Sequence, residues 1–191
     1  MKTIRHTFCL ILVIISGYSF SQGITENTWQ DGDIIFIKNP KMPPANEPGD
    51  KKNFNCTGIV IHDKEHAYVY FMEDVFKRMP IMEFIGMSED KKYSVKWLME
   101  KELVDQTAIG IMTTYCNAKI GDKKDTQENL NTEELFNAEF VWKIYMSTLG
   151  VKLCEPKDMT LEADNKKDMS LTGNAKKTVS VRDIYRSELL E

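Results

Sequence analysis

The chain is short of several things, and each shortage closes off a class of function. No apolar run is long enough to cross a bilayer: the one at residues 8–15 falls well below the roughly 20 residues that a spanning helix needs. Positive charge is not in excess, because 25 Lys and Arg stand against 29 Asp and Glu, a formal net charge of −4. That balance argues against nucleic acid or anionic lipid as a partner. No internal repeat is present, so a solenoid is excluded. Cysteine is scarce, with four residues, and Cys9 sits at the front of the apolar run and not after it, which argues against a lipidated cysteine.

What is there begins with an export signal. Lys2 and Arg5 precede the apolar run, and Ser19-Phe20-Ser21 offers a small-x-small cleavage site before Gln22. Residues 1–21 are therefore expected to be removed, leaving a single domain at 22–191 in the periplasm or outside the cell, with no stable membrane span. Cleavage takes two basic residues and no acidic ones, so the mature formal charge is about −6. Three cysteines remain, Cys56, Cys116 and Cys154, an odd count that allows one disulfide and a spare thiol.

The strongest periodic signal is at residues 135–149. Leu135, Ala138, Val141, Trp142, Tyr145 and Leu149 fall on one face of a 3.6-residue period. Asn131 can cap this helix with Glu134 three residues on, and Gly150 closes it. Upstream, Trp29-Gln30-Asp31-Gly32 reads as a turn before the short strand Asp33-Ile34-Ile35-Phe36-Ile37. Residues 39–55 hold Pro40, Pro43, Pro44, Pro48 and Gly49, and cannot be regular. Two β-branched and aromatic runs, 56–62 and 67–72, read as a hairpin. Residues 80–87 suggest a short helix or turn, and 92–97 a half-exposed strand. A second amphipathic helix is expected at 103–120, with Leu103, Thr107, Ile111, Met112 and Tyr115 on its inner side and Gly121 ending it. Val151-Lys152-Leu153 suggests a short strand, 156–178 a charged surface excursion, and Ser180-Val181-Arg182-Asp183 a cap on a closing helix that runs to Leu190.

Phe136-Asn137-Ala138-Glu139-Phe140-Val141-Trp142-Lys143-Ile144-Tyr145 resembles the nucleophile helix of the permuted papain-like amidases of the YiiX/YaeF type, relatives of the NlpC cell-wall peptidases. Their pattern is approximately Tyr-Cys-Ser-Glu-Leu-Val-Trp-Lys-x-Tyr. Glu139, Val141, Trp142, Lys143 and Tyr145 match, whereas Asn137 stands at the catalytic cysteine. Gln30-Asp31-Gly32-Asp33-Ile34-Ile35-Phe36 resembles the family's opening motif. Cys56-Thr57-Gly58-Ile59-Val60 is similar to its His-Val-Gly-Ile-Val strand, with Cys56 at the basic histidine. Val69-Tyr70-Phe71-Met72 is similar to Val-Tyr-Glu-Ala, with Phe71 at the glutamate. Glu73 lies two residues on, a step of about 6.6 Å along a strand, and is a poor substitute.

The resemblance implies an α+β fold in the circularly permuted papain-like (NlpC-like) arrangement, a small antiparallel, partly barrel-like sheet on the central helix. It implies a cysteine amidase site in which no catalytic residue is intact. Such a site puts a thiol at a helix N-terminus, where the helix field lowers its pKa, with a strand histidine to hold the proton. A carboxamide is no nucleophile, and a phenyl ring orients nothing by hydrogen bond. Asp33, Thr57, Gly58, Glu73, Phe136, Glu139 and Trp142 are then cleft or scaffold residues. With Cys56 assigned to that slot, Cys116 and Cys154 are the remaining candidates for a disulfide.

No replacement constellation stands out. Cys56 and His62 share a strand face, but six residues of strand separate them by about 20 Å. Cys116 sits late on its helix, at the wrong end of the dipole for a nucleophile. His62 and His66 have the spacing of a helical zinc pair but flank a hairpin turn, so no metal and no cofactor is expected. Asn55-Cys56-Thr57 fits a glycosylation triplet in an unsuitable strand context. Met72, Met79, Met82 and Met87 read as adaptable core or as an apolar ligand surface. The expected function is an exported amidase/peptidase homologue that binds a peptide, cell-wall fragment or acyl lipid in the old cleft. The alternatives are an active cysteine-type amide or ester hydrolase of the envelope and a structural envelope protein.

Overall fold

The computed structural model describes residues 29–44, 52–126, 130, 135–158 and 176–191. The export signal and the Asn131 and Glu134 cap lie outside the described residues. Five antiparallel strands form one sheet in the order β4-β3-β2-β1-β5: β1 Ile34–Ile37, β2 Cys56–Asp63, β3 His66–Met72, β4 Phe76–Pro80 and β5 Tyr93–Lys96. Four helices accompany it, α1 Ile81–Gly86, α2 Gln106–Lys119, α3 Asn137–Leu149 and α4 Val181–Tyr185, together with a short pair β6 Lys157–Asp158 and β7 Lys177–Thr178. Among the described residues no helix is long and apolar enough to cross a membrane.

The central strand β1 is buried along its whole length because both faces of the sheet are covered. Ile34, Phe36, Ile59, Ile61, Tyr70 and Met72 point to one face, where α2, α3 and α4 pack. Ile35, Ile37, Cys56, Val60, Val69 and Phe71 point to the other, against α1 and Trp29. The period-2 alternation of the strands thus divides one apolar sequence between two cores. Phe76 and Phe140 meet edge to face at 4.6 Å between ring centroids and fasten α3 to β4.

The sheet is open, which corrects the barrel-like expectation: β4 and β5 each pair with a single neighbour. These edge strands are only five and four residues long, short of the reach that closure by tilt and stagger demands. The inner face of α2 also differs. Asp105 caps the helix by accepting from the Ala108 N–H at 2.8 Å, after a 3-10 turn at Lys101–Leu103. The inward residues are Ala108, Ile109, Met112 and Cys116, while Ile111 is 51 % exposed and Leu103 40 %. Val151 to Leu153 form no strand, although Leu153 is buried. The closing helix stops at Tyr185, and Leu190 instead bridges Leu98 beside β5. Its cap is as expected, with Ser180 and Asp183 satisfying each other's N–H groups.

The opening turn locks β1 to α3. Gly32 takes φ +88°, Asp33 accepts the Gln30 N–H at 2.8 Å, and the Tyr145 hydroxyl donates to the Gly32 carbonyl. Burial pushes the Asp33 carboxyl up to about 6, against the Gln30 bond. Asp33 is accordingly scaffold, at the end of β1 away from Cys56.

Gly58 has a different reason to be glycine. A Cβ there would meet Val69 Cγ1 at 2.4 Å and the Tyr70 carbonyl oxygen at 2.7 Å, and the second contact is backbone. Replacing it forces β2 and β3 apart. Gly58→Ala should destabilise the fold by about 1–3 kcal/mol in urea unfolding, and an unchanged midpoint would contradict the tight β2–β3 approach.

Candidate functional site

Asn137 is the first residue of α3, and the helix brings it to the point where β2 begins. Its cap, Phe136, has no side-chain acceptor. Glu139 instead reaches back, and its Oε2 accepts the Phe136 N–H at 3.1 Å. Glu139 is wholly buried and pairs with Lys143 at 2.7 Å; burial raises its pKa and Lys143 opposes the rise. Trp142 donates through Nε1 to the Cys154 carbonyl at 2.9 Å. Both residues belong to the frame that aims the helix, as does Phe136, whose ring lies in the core.

The Asn137 carboxamide is held at both ends. Its Oδ1 accepts the Thr57 N–H at 3.0 Å, while Nδ2 donates to the Asn55 carbonyl at 3.3 Å and lies 3.6 Å from Met42 Sδ. Thr57 in turn donates its hydroxyl to the Ile35 carbonyl at 3.0 Å. The Cys56 thiol is a further partner of the carboxamide. Burial pushes that thiol up to about 12, with the Asn137 bond opposing and the Glu73 charge adding to the rise. Cys56 is completely buried and neutral at physiological pH.

Phe71 is also completely buried, packed edge to face on Phe84 at 4.8 Å, with Lys77 Nζ 5.2 Å from its ring centre. The β2–β3 ladder pairs Gly58 with Phe71, and two residues further in the same register Glu73 lies across from Cys56. Glu73 is engaged by Lys77 at 2.5 Å and Asn39 at 3.3 Å, and the Lys77 bond lowers its pKa. The structure thus brings Asn137 against the start of β2, while Cys56 and Phe71 share the α1-side face of the sheet, with Glu73 across from Cys56.

A clasp that the sequence reading missed lies over this cluster. Asn55 Nδ2 is within 2.9 Å of the Asn39 carbonyl, 3.2 Å of Met42's and 3.0 Å of Pro43's, and Asn55 Oδ1 accepts the Asn39 N–H at 2.7 Å. The signal for it was the proline spacing: Pro40, Pro43 and Pro44 supply carbonyls and no N–H, so an outside donor has to serve the loop. Beside the clasp runs a groove of about 280 Å³ bounded by Met42, Pro43, Asn55, Asn137, Lys124 and Arg182. Cys56 and Phe71 are fully buried and do not line it.

The other candidates are dispersed. His62 bonds Asp31 through Nδ1 at 2.8 Å, and His66 is opposite Asp63, at the far end of the hairpin from Cys56. All three described cysteines are free thiols, so Cys116 and Cys154 are not joined. Desolvation alone raises Cys116, which packs among core residues, and burial raises partly buried Cys154 to about 11. Met72 is core, Met79 and Met87 are partly buried against the α1-side core, and Met82 is 45 % exposed, so this tract forms no ligand surface at the groove.

Residues 28–191 match the permuted papain-like amidase enzymes of the YaeF/YiiX, C92 family. The chain belongs to this family. It is 25 % identical to the uncharacterized protein YiiX of Escherichia coli strain K12 over 127 residues, 66 % of this chain and 62 % of that protein. It therefore spans less than two thirds of the curated relative it matches. The crystal structure of metalloprotein yiiX from Escherichia coli O157:H7 shares the fold, with a TM-score of 0.67, 19 % identity, and coverage of 85 % of this chain and 94 % of that one. The open sheet packed on α3 is thus this family's α+β architecture.

Burial and neutral thiols have a direct consequence for labelling. A maleimide applied to folded protein should modify Cys154 first, with Cys56 and Cys116 reacting only after denaturation, as read by mass spectrometry of the peptides. Rapid native labelling of Cys56 would contradict the site described above.

Proposed function

We propose that this chain is an exported member of the YaeF/YiiX amidases that no longer hydrolyses amides and instead binds a peptide, cell-wall fragment or acyl lipid in the groove beside Asn137. The observation that carries the proposal is the bonding of Asn137. A side chain at the helix start, where the family resemblance puts a nucleophile, spends its acceptor on Thr57 and its donor on Asn55. Its neighbour at the slot of the base is a thiol held neutral by burial. In another hydrolase, loss of the nucleophile or the base costs about 10⁶-fold in kcat, of order 8 kcal/mol of barrier. The export part of the proposal rests on the signal at residues 1–21.

The Escherichia coli neighbour is named a metalloprotein. The donors here do not fit a metal: among the described residues no three His, Cys, Asp or Glu side chains converge. Glu73, the nearest carboxylate to Cys56, is already committed to Lys77. No chemical step is assigned to a metal.

Purified chain lacking residues 1–21 should show no turnover of peptide or ester substrates above the uncatalysed rate, and a cell-wall digest should raise its melting temperature. Turnover abolished by changing one cysteine to alanine would return the active-hydrolase alternative. Absence of a thermal shift with cell-wall digest, peptide and acyl lipid alike would favour the structural envelope protein.

A further inference from the structure

Two carboxylates stand in the turn ahead of β1, and the fold provides for only one of them. Asp31 Oδ1 accepts the His62 N–H at 2.6 Å and meets His62 Nδ1 at 2.8 Å, and its side chain remains partly exposed. Asp33 is 5 % exposed, and among the described residues the Gln30 N–H is the one donor its carboxylate meets. A buried carboxylate served by a single neutral donor is costly to charge, whereas its acid form keeps that bond without the charge. The groups that face it are Asp31 in the same turn, His62 on β2, Lys101 in the 3-10 turn and Tyr145 on α3. Burial is the largest influence and holds the carboxyl at about 6; the Gln30 bond and Lys101 oppose it, Asp31 adds to it, and His62 opposes it least.

The turn is also where β1 is fastened to its neighbours. The Gly32 N–H donates to the Val60 carbonyl at 2.9 Å, the Val60 N–H to the Asp33 carbonyl at 2.8 Å, and the Tyr145 hydroxyl to the Gly32 carbonyl. A charge on Asp33 therefore acts at the joint between β1, β2 and α3. We propose that this turn is a proton-operated latch: with Asp33 protonated it closes on β2 and α3, and with Asp33 charged it draws in water and loosens. The helix it steadies is the one that begins at Asn137, and the latch does not depend on the chemistry proposed for that residue. A carboxyl that holds its proton more tightly in the folded chain than in the unfolded one stabilises the fold in acid. That contribution is complete below about pH 4, the ordinary aspartate range, and is lost as pH rises through about 6.

Carboxyl ¹³C titration of the purified protein should place the Asp33 midpoint near 6, with the amide shifts of Gly32 and Val60 following the same curve. Asp33→Asn keeps an acceptor for Gln30 and removes the charge. Its folding constant relative to that of the native protein, from urea unfolding, should rise roughly fiftyfold between pH 4 and pH 7. The same ratio taken in an Asp31→Asn background should rise to a similar extent. An Asp33 midpoint near 4, or a ratio that stays flat with pH, would overturn the latch. Gly32 and Val60 amides indifferent to the Asp33 titration would overturn the loosening of the turn. A rise that vanishes with Asp31→Asn would assign the pH dependence to the Asp31–His62 pair and overturn the role of Asp33. The carboxyl titration needs no variant, so the test survives a substitution that fails to fold.

Discussion

One hydrogen bond ties the start of the main helix to the start of β2: the Thr57 N–H donating to Asn137 Oδ1 at 3.0 Å. The ladder between β2 and β3 has its last pair at Gly58 and Phe71, so the Thr57 amide lies one residue beyond it. Thr57 is fully buried, out of reach of water. Leaving such a donor unmatched would cost about 1–3 kcal/mol. Asn137 is the residue that meets it, and it can do so only if α3 starts where β2 starts. The position of the groove, the burial of Cys56 and the seat of the Met42 loop all follow from that junction.

The same junction carries the proposed loss of hydrolysis. A thiolate nucleophile needs a helix start open to solvent and a base beside it. Here the helix start is occupied by an amide with both ends engaged, its neighbour Cys56 is raised to about 12 by burial, and Glu73 is turned to Lys77 and Asn39. The Asn39–Asn55 clasp then holds Met42 within 3.6 Å of the Asn137 amide nitrogen. On the proposed reading, each of these arrangements works against hydrolysis at the start of α3. Alongside lies the groove, with Met42, Pro43, Pro44, Val179 and Val181 among its walls.

The parts of the fold that were legible in the sequence are those governed by local chemistry. The hairpin at 56–72 announced itself by β-branched alternation, the closing helix by its Ser180–Asp183 box, and α3 by its period and by Gly150, which takes φ +69°. The parts that were not legible depend on partners distant in sequence. The face of α2 was misjudged by one position, about 100° of helix: Ala108, Met112 and Cys116 point inward where Thr107, Ile111 and Tyr115 were expected. Sheet closure depends on strand lengths at the edges, which no local pattern reports. In the site, the adjacency of Cys56 and Asn137 was readable from the order of the family's motifs. The clasp by Asn55 was not, because it depends on a loop whose carbonyls need a donor from β2's approach.

Amide hydrogen exchange at Thr57 tests the junction most directly. In the native protein its protection should approach that of Val60, whose N–H is bonded to the Asp33 carbonyl at 2.8 Å. In Asn137→Ala the Thr57 amide should lose at least about tenfold in protection while Val60 keeps most of its own. Equal protection of Thr57 in both proteins would mean that the helix start does not hold the strand, and the account would have lost its foundation.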